Sequence, residues 1–172
     1  MISKTMADRI NLQINREMFS AYLYLAMAAK MKEAGYAGIG TWLTVQYHEE
    51  MFHAMKFAAY LESQGAAVKY ARIDEPAFSD GSVKELFQQV LKHEQFVTAS
   101  IREIVELARA EKDYATENLL RWYVDEQVEE EKNDADILQS LELIGNNAQG
   151  IFMLNIELGK RANSAPLDFT KA

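Results

Sequence analysis

Six side chains of types that bind metals in proteins lie in four amphipathic segments of this chain. They are Glu17, Glu50, His53, Glu94, Gln127 and Glu130. Each falls on the apolar stripe that a helix turns toward a protein core. Burial of an unpaired carboxylate costs several kcal/mol, and the inner stripes offer no Lys or Arg near this level. The pattern therefore predicts a buried metal centre.

The spacing of the stripes places these residues at one level. In the third segment, steps of three and four residues run through 83–108, and Glu94 is the only residue in them that is not apolar. The first segment repeats the pattern over 10–31 with Glu17 as its lone charge, whereas Asp134 makes the fourth stripe less regular. The predicted ligands lie roughly 12 to 14 residues into their segments, which is about 18 to 21 Å along a helix axis. Four helices of this kind bring the ligands together.

Turn and capping residues delimit five predicted helices, at about 5–33, 38–64, 83–109, 114–144 and 148–160. Ser82 and Glu85 form a capping-box pattern at the start of the third helix. Gly35, Gly65 and Gly145 suit the left-handed conformation that often ends a helix. An all-helical chain is therefore expected.

The segment 66–81 breaks the helical pattern and is too long for a tight turn. We interpret it as a crossover along the bundle between the second and third helices. The short last helix is apolar enough to need a packing partner. We expect one domain over residues 1–172, with the bundle at about 5–144 and the fifth helix at about 148–160.

Composition narrows the functional classes. With 172 residues, 49% of them hydrophobic, the chain suits a single core, and the absence of cysteine excludes disulfides, zinc–thiolate sites and iron–sulfur clusters. The net charge of -8 argues against a nucleic-acid partner. No apolar run reaches the roughly 18 residues that predict a membrane span, so we expect no membrane partner and a cytoplasmic location.

The charges and ligand types indicate which metal the centre takes. Four carboxylates contribute four negative charges, and two divalent cations would neutralise them. An oxygen-rich site with an imidazole and no thiolate favours iron or manganese over zinc or copper. Two neighbouring ions can jointly pass electrons to dioxygen, so the predicted reaction is the oxidation of ferrous iron.

Four segments carry a resemblance to a known family: Asn15–Glu17, Glu49–Ala54, Lys92–Gln95 and Trp122–Glu131. With them the chain resembles a bacterial-type non-haem ferritin over nearly its whole length. The resemblance implies a ferritin-like four-helix bundle with a long crossover and a short fifth helix. It also implies a homo-oligomeric hollow shell of 24 subunits that oxidises iron with dioxygen or peroxide and stores ferric mineral inside.

The resemblance assigns roles to the predicted ligands. It implies that Glu17, Glu50 and His53 hold the first iron, with Glu50 as the bridge between the ions. Glu94 and Glu130 would hold the second iron. By the same resemblance Gln127 lies close to the oxidant.

The resemblance also implies a third iron site, formed by Glu49, Glu126 and Glu129 with Glu130 shared. An ordinary solvated acidic face is the alternative interpretation of these residues. Tyr24 matches a tyrosine that lies beside the iron site in this family and is proposed to donate an electron. As a plain core aromatic residue it would need no such role.

Other residues separate the chain from neighbouring families. Bacterioferritins and rubrerythrins carry a second Glu-x-x-His motif on the fourth helix, where this chain has Gln127 and Glu130. Met51 follows the predicted bridge, where bacterioferritins place a haem ligand, but we interpret it as a subunit contact and expect no haem. His48 and His93 are predicted to have surface roles.

Two other functions stay open at this point. One is a small di-iron oxidase or peroxidase that turns over a substrate without storing mineral. The other is a DNA-protecting mini-ferritin, a family that builds its iron site between subunits and lacks the fifth helix. The predicted ligands of this chain all lie within one bundle, which argues against the second.

Overall fold

Capping residues set the ends of the helices in the computed structural model, which describes residues 2–79, 81–163 and 165. The Ser3 hydroxyl accepts a hydrogen bond from the Met6 backbone N–H and begins the first helix. The capping box predicted at Ser82 and Glu85 is present at the third. The helices are α1 (Lys4–Glu33), α2 (Ala37–Ser63), α3 (Val83–Glu111), α4 (Tyr114–Ile144) and α5 (Ala148–Leu158).

The predicted helix boundaries are confirmed to within two residues, with two small corrections. Helix α3 ends at Glu111 and not near Arg109, because Lys112 adopts a left-handed conformation with φ of 56° and closes the helix there. Helix α5 ends at Leu158 and not near Lys160. The described residues contain no β-strand.

The helices pack in antiparallel pairs, α1 along α2 and α3 along α4, and α1 also contacts α3. The predicted crossover carries the chain from the end of α2 to the start of α3. It is fastened to α1 by Asn11, whose Nδ2 donates to the Ala67 carbonyl and whose Oδ1 accepts from the Lys69 backbone N–H. The crossover therefore lies along the bundle, as the sequence indicates.

The core consists of two apolar clusters, one toward each end of the bundle. One contains Met27, Leu43 and Phe87, and the other contains Ile10, Phe57 and Ile104. The residues between them on every helix are the polar ones of the inner stripes. A buried polar layer thus divides the core.

Helix α5 packs against α2 and the end of α4. The Asn155 side-chain oxygen accepts a hydrogen bond of 3.0 Å from the Ile39 backbone N–H. A Cβ atom at Gly38 would lie 1.8 Å from the Asn155 backbone oxygen, so this close approach requires glycine. Among the described helices, none is both long and apolar enough to cross a membrane.

Candidate metal centre

The polar layer contains all six side chains that the sequence singles out as ligands. Their exposed fractions run from 0% to 4%. In the order of the chain they are Glu17, Glu50, His53, Glu94, Gln127 and Glu130. The i, i+3 spacing of the pairs on α2 and α4 turns both members toward the bundle axis. The structure therefore brings together at one level the residues that the four stripes predict.

Glu17, Glu50 and His53 form the α1–α2 half of the centre. Each offers a ligand atom, and these atoms lie within 4.8 Å of one another. Gln13 Nε2 donates to Glu17 Oε1 over 2.8 Å, and His53 Nδ1 lies 3.7 Å from Glu50 Oε1. Among the described residues, no donor reaches Glu17 Oε2 or either oxygen of Glu50. Three buried carboxylate oxygens therefore point to a cation as their partner.

The protonation of this half follows from its burial. Burial raises the pKa of Glu50 well above its ordinary value and raises the pKa of Glu17 as well, while the positive charge of His53 opposes both shifts. Burial alone would lower the pKa of His53, but the carboxylates of Glu50, Glu126 and Glu17 outweigh it and raise that pKa well above its usual range. Without a metal, the half therefore holds protons that a cation would displace.

Glu94, Gln127 and Glu130 form the α3–α4 half. Its carboxylates have hydrogen-bond donors. The Tyr24 hydroxyl donates to Glu94 Oε1, and Gln127 Nε2 donates to Glu94 Oε2 over 3.1 Å. Gln46 Nε2 donates to Glu130 Oε2 over 2.9 Å. Each acid of this half therefore accepts at least one hydrogen bond from a neutral donor.

Burial and the charges of Glu94 and Glu49 raise the pKa of Glu130 to about 8. The pKa of the Tyr24 phenol lies well above its usual value, because the ring is buried and faces Glu94, Glu50 and Asp134. Tyr24 therefore keeps its proton at neutral pH. It can act only as a donor to Glu94 in that state.

Aromatic residues of α4 hold the α2 ligands in place. The Tyr123 hydroxyl donates to the His53 carbonyl over 2.8 Å, and its ring stacks on Phe57 with 3.9 Å between centroids. The Trp122 ring lies 5.3 Å from the His53 ring. A metal on His53 would therefore lie close enough to Trp122 to change its fluorescence.

The residues predicted for a third iron site form the outer acidic group, defined here as Glu49, Glu126 and Glu129. Glu126 Oε1 lies 3.9 Å from His53 Nε2, and Glu129 is exposed. Glu49 Oε2 instead accepts a hydrogen bond of 2.6 Å from Arg161 Nη2. Burial raises the pKa of Glu49, and the charge of Arg161 opposes that shift. Within the described chain, only the α1–α2 half brings three ligand atoms within 4.8 Å.

Two residues at this level are not among the predicted ligands. Arg161 reaches the polar layer from beyond α5, and nothing in the helical stripes signals its position.

Asp134 is fully buried, and neither of its oxygens has a hydrogen-bond donor among the described residues. Burial and the charges of Glu94 and Glu130 raise the pKa of Asp134 to about 9. Its place on the α4 stripe was a sufficient signal, because the same stripe predicts Glu130.

The prediction of surface roles for two histidines needs correction for His93. Its Nε2 lies 2.7 Å from the Ser20 hydroxyl, and its ring packs edge-on against Tyr24 at 6.1 Å. Burial lowers its pKa. His93 thus packs against Tyr24 and is not a surface residue. His48 is half-buried and packs against Tyr47.

Comparison with known proteins identifies relatives over most of the chain. A model of the ferritin-like domain matches residues 7–144. The probable bacterial non-heme ferritin-like protein of Haemophilus influenzae is 36% identical over 165 residues, which are 96% of this chain and 100% of the relative. The bacterial non-heme ferritin of Staphylococcus aureus is 36% identical over 161 residues, covering 94% of this chain and 97% of the relative.

Solved structures agree with this. An open pore ferritin from Archaeoglobus fulgidus matches with a TM-score of 0.93 and 43% identity, over 94% of this chain and 100% of that one. A closed form of the same organism's ferritin, engineered by mutagenesis, matches with a TM-score of 0.92 and 44% identity, over 94% and 99%. The prediction of an all-α four-helix bundle with a short fifth helix is confirmed. The chain belongs to the ferritin-like family, as its resemblance to bacterial-type non-haem ferritins predicts.

Proposed function

We propose that this protein stores iron by oxidising Fe(II) to Fe(III) at a di-iron centre inside each subunit and retaining ferric mineral within a shell of identical chains. The family and its non-haem relatives support iron storage in general. The observation that carries the finer proposal is the α1–α2 half. Three buried ligand groups lie within 4.8 Å there, and three of their oxygens have no hydrogen-bond donor among the described residues.

In this proposal iron is the substrate, and the centre binds two ferrous ions at a time. Glu17, Glu50 and His53 hold the first ion, and Glu94 and Glu130 hold the second. Glu50 is the proposed bridge, because its side chain is buried, neither of its oxygens accepts a hydrogen bond from the described residues, and the charges of both Glu17 and Glu94 act on it. Two divalent ions would balance the four carboxylates, so the occupied centre would carry no net charge.

The reaction is a two-electron transfer. Two ferrous ions lose one electron each, and dioxygen takes both electrons with two protons to give hydrogen peroxide; peroxide can serve as oxidant in its turn. Gln127 is the proposed neighbour of the oxidant. It lines a cleft between α3 and α4, of about 240 Å³, together with Thr98 and Glu131. That cleft is a route by which a small oxidant could reach the centre.

Tyr24 is the proposed source of a further electron. Its hydroxyl donates to Glu94, so removal of an electron from the ring could be coupled to transfer of the phenol proton to that carboxylate. The ring is fully buried, which would protect the resulting radical from water. The His93 ring packs edge-on against the Tyr24 ring, with 6.1 Å between their centroids.

The proposed shell is a homo-oligomer of 24 subunits in the cytoplasm. Helix α5 carries the side chains that such a shell would cover. Phe152, Met153 and Ile156 are 59%, 58% and 44% exposed in the single chain. Apolar side chains this exposed, on one short helix, fit a contact between subunits.

A pair of substitutions on α2 tests the proposed oxidation. We expect His53→Ala to slow rapid ferrous oxidation at least about tenfold, because it removes a ligand of the first ion. His48→Ala is the matched control, since His48 lies on the same helix but packs against Tyr47 and not the centre. Stopped-flow absorbance measures the rates, and size-exclusion chromatography checks that the shell stays assembled. Equal rates for wild type and His53→Ala would refute the ferroxidase assignment.

The amount of iron that the protein takes up distinguishes an iron-storage protein from a di-iron oxidase. A storage protein accumulates hundreds or more iron atoms per particle as mineral. A di-iron oxidase would stop at two per chain. Iron content after aerobic loading, measured on purified particles, therefore decides between the proposed function and the oxidase alternative.

A further inference from the structure

Arg161 lies immediately beyond α5 and contacts three successive turns of α2. Its Nη2 donates to Glu49 Oε2 over 2.6 Å, and its Nη1 donates to Gln46 Oε1. The centre of the guanidinium lies 4.8 Å from the centroid of the Trp42 ring. The side chains of Arg161 and Glu49 are only 22% and 12% exposed. This pair is therefore better shielded from solvent than an ordinary surface ion pair.

The docking of α5 sets the position of Arg161. The Ile39 N–H donates a hydrogen bond to the Asn155 side chain. Because Gly38 has no Cβ, Asn155 and Gly159 can approach it closely. These contacts hold the end of α5 at the start of α2, about three helical turns before Glu49. The arginine then extends along α2 toward the polar layer.

The contacts of Arg161 continue into the metal centre through Gln46. The amide oxygen of Gln46 faces the guanidinium, which can only donate. Its amide nitrogen is thereby turned toward Glu130 Oε2, at 2.9 Å. Arg161 thus orients a donor to one proposed ligand and pairs directly with Glu49 of the outer acidic group.

We propose that Arg161 is a positioning residue that acts as an internal counter-ion for Glu49 and limits tight divalent-cation binding to the two positions of the buried centre. An arginine side chain keeps its charge at any physiological pH, so it cannot yield to a metal by losing a proton. A cation bound by Glu49 must instead move the guanidinium away and break its contacts with Gln46 and Trp42. This inference rests on the proposed function, because it takes the first two ions to be those of the ferroxidase centre.

Anaerobic binding of Co²⁺ to the assembled protein tests the inference without turnover. Isothermal titration calorimetry and equilibrium dialysis give the number of ions per chain and their affinities. We expect Arg161→Gln to bind one tight ion more than wild type, with the added ion held at least about tenfold more strongly than any third ion of wild type. Arg161→Lys, which keeps the positive charge, is expected to restore the wild-type count.

Two further variants test whether the added ion depends on the charges of Arg161 and Glu49. Lys160→Gln removes the same charge from the neighbouring residue, whose ammonium pairs with Glu157, and should leave the count unchanged. The double variant Arg161→Gln with Glu49→Gln should lose the added ion. Equal counts and affinities for Arg161→Gln and wild type would overturn the inference, as would the same gain in Lys160→Gln.

Different results would contradict the role of Arg161 and the proposed function. The difference between Arg161→Gln and wild type tests the role of Arg161. The wild-type count itself tests the buried centre, because a protein that binds fewer than two tight ions would contradict the proposed function whatever Arg161 does. Circular dichroism and shell assembly, measured on every variant, show that the counts refer to folded protein.

Discussion

Each half of the metal centre contains two buried glutamates, but the two halves satisfy the charges of these glutamates in different ways. In the α1–α2 half, Glu50 accepts no hydrogen bond from the described residues, and His53 Nδ1 lies 3.7 Å from its Oε1. In the α3–α4 half, Glu94 accepts from both Tyr24 and Gln127. A cation bound by Glu50 displaces no hydrogen-bond donor, whereas one bound by Glu94 must displace the donors Tyr24 and Gln127. The difference predicts an order of binding.

The largest expected effect concerns Asp134, a buried acid that is not among the proposed ligands. Like Glu50, it accepts no hydrogen bond from the described residues, yet it belongs to no group of three ligand atoms among them. Its pKa is raised from the usual 3.8 to about 9, so the folded protein holds a proton there that the unfolded chain releases above about pH 4. The free energy of unfolding therefore falls as pH rises through that window.

We expect Asp134→Asn to remove this contribution in metal-free protein. Between about pH 5 and about pH 8 the free energy of unfolding of wild type should fall by about 4 kcal/mol more than that of the variant, at ~1.4 kcal/mol per pH unit and proton. Calorimetry or urea unfolding in chelator at both pH values measures the difference. Asp136→Asn is the control, because Asp136 is exposed and paired with Lys132. Parallel pH profiles for wild type and Asp134→Asn would show that Asp134 is ionised in the folded state.

The second test compares the halves directly, with Co²⁺ binding under anaerobic conditions. Displacing hydrogen bonds to a charged group costs about 1.5 to 3 kcal/mol each, so the ion of the α3–α4 half should bind at least about tenfold more weakly than the ion of the α1–α2 half. We expect Glu94→Gln to abolish the weaker step and to leave the tighter one. Glu50→Gln, which removes the proposed bridge, should weaken both.

The two glutamine variants are matched to each other in size and charge. Each replaces one buried carboxylate of the centre by a neutral amide. A titration in which Glu94→Gln removes the tighter step would reverse the proposed order of binding. The Trp122 ring, 5.3 Å from His53, gives an independent fluorescence signal for the first ion.

The same contrast shows what sequence can and cannot predict here. Helical periodicity identifies Glu17, Glu94 and Glu130 as inward-facing, because local spacing alone decides which face of a helix a residue occupies. It also places Asp134 on the inner stripe, although only the structure shows that the residue has no partner. Periodicity does not tell which donor meets which acid, because that depends on side-chain geometry between helices.

Arg161 shows more clearly what helical periodicity cannot predict. Its sequence neighbours form no stripe, and its contact with Glu49 depends on the docking of α5 at Gly38 and Asn155. Such a contact joins residues more than a hundred positions apart. The sequence therefore predicts the acids of the centre but not the arginine that pairs with Glu49.

Removal of the Tyr24 hydroxyl has the smallest expected effect. It should reduce the difference in metal affinity between the two halves. In Tyr24→Phe, Glu94 loses one of its two side-chain donors, so metal-free protein should lose about 1 to 2 kcal/mol of stability. An ion entering the α3–α4 half then has one hydrogen bond fewer to displace, and its affinity should rise severalfold while the tighter step stays unchanged. Tyr22→Phe, at an exposed position two residues earlier, controls for loss of a phenol. If Tyr24→Phe instead weakened the second ion, the hydroxyl would be supporting Glu94 as a ligand and not competing for it.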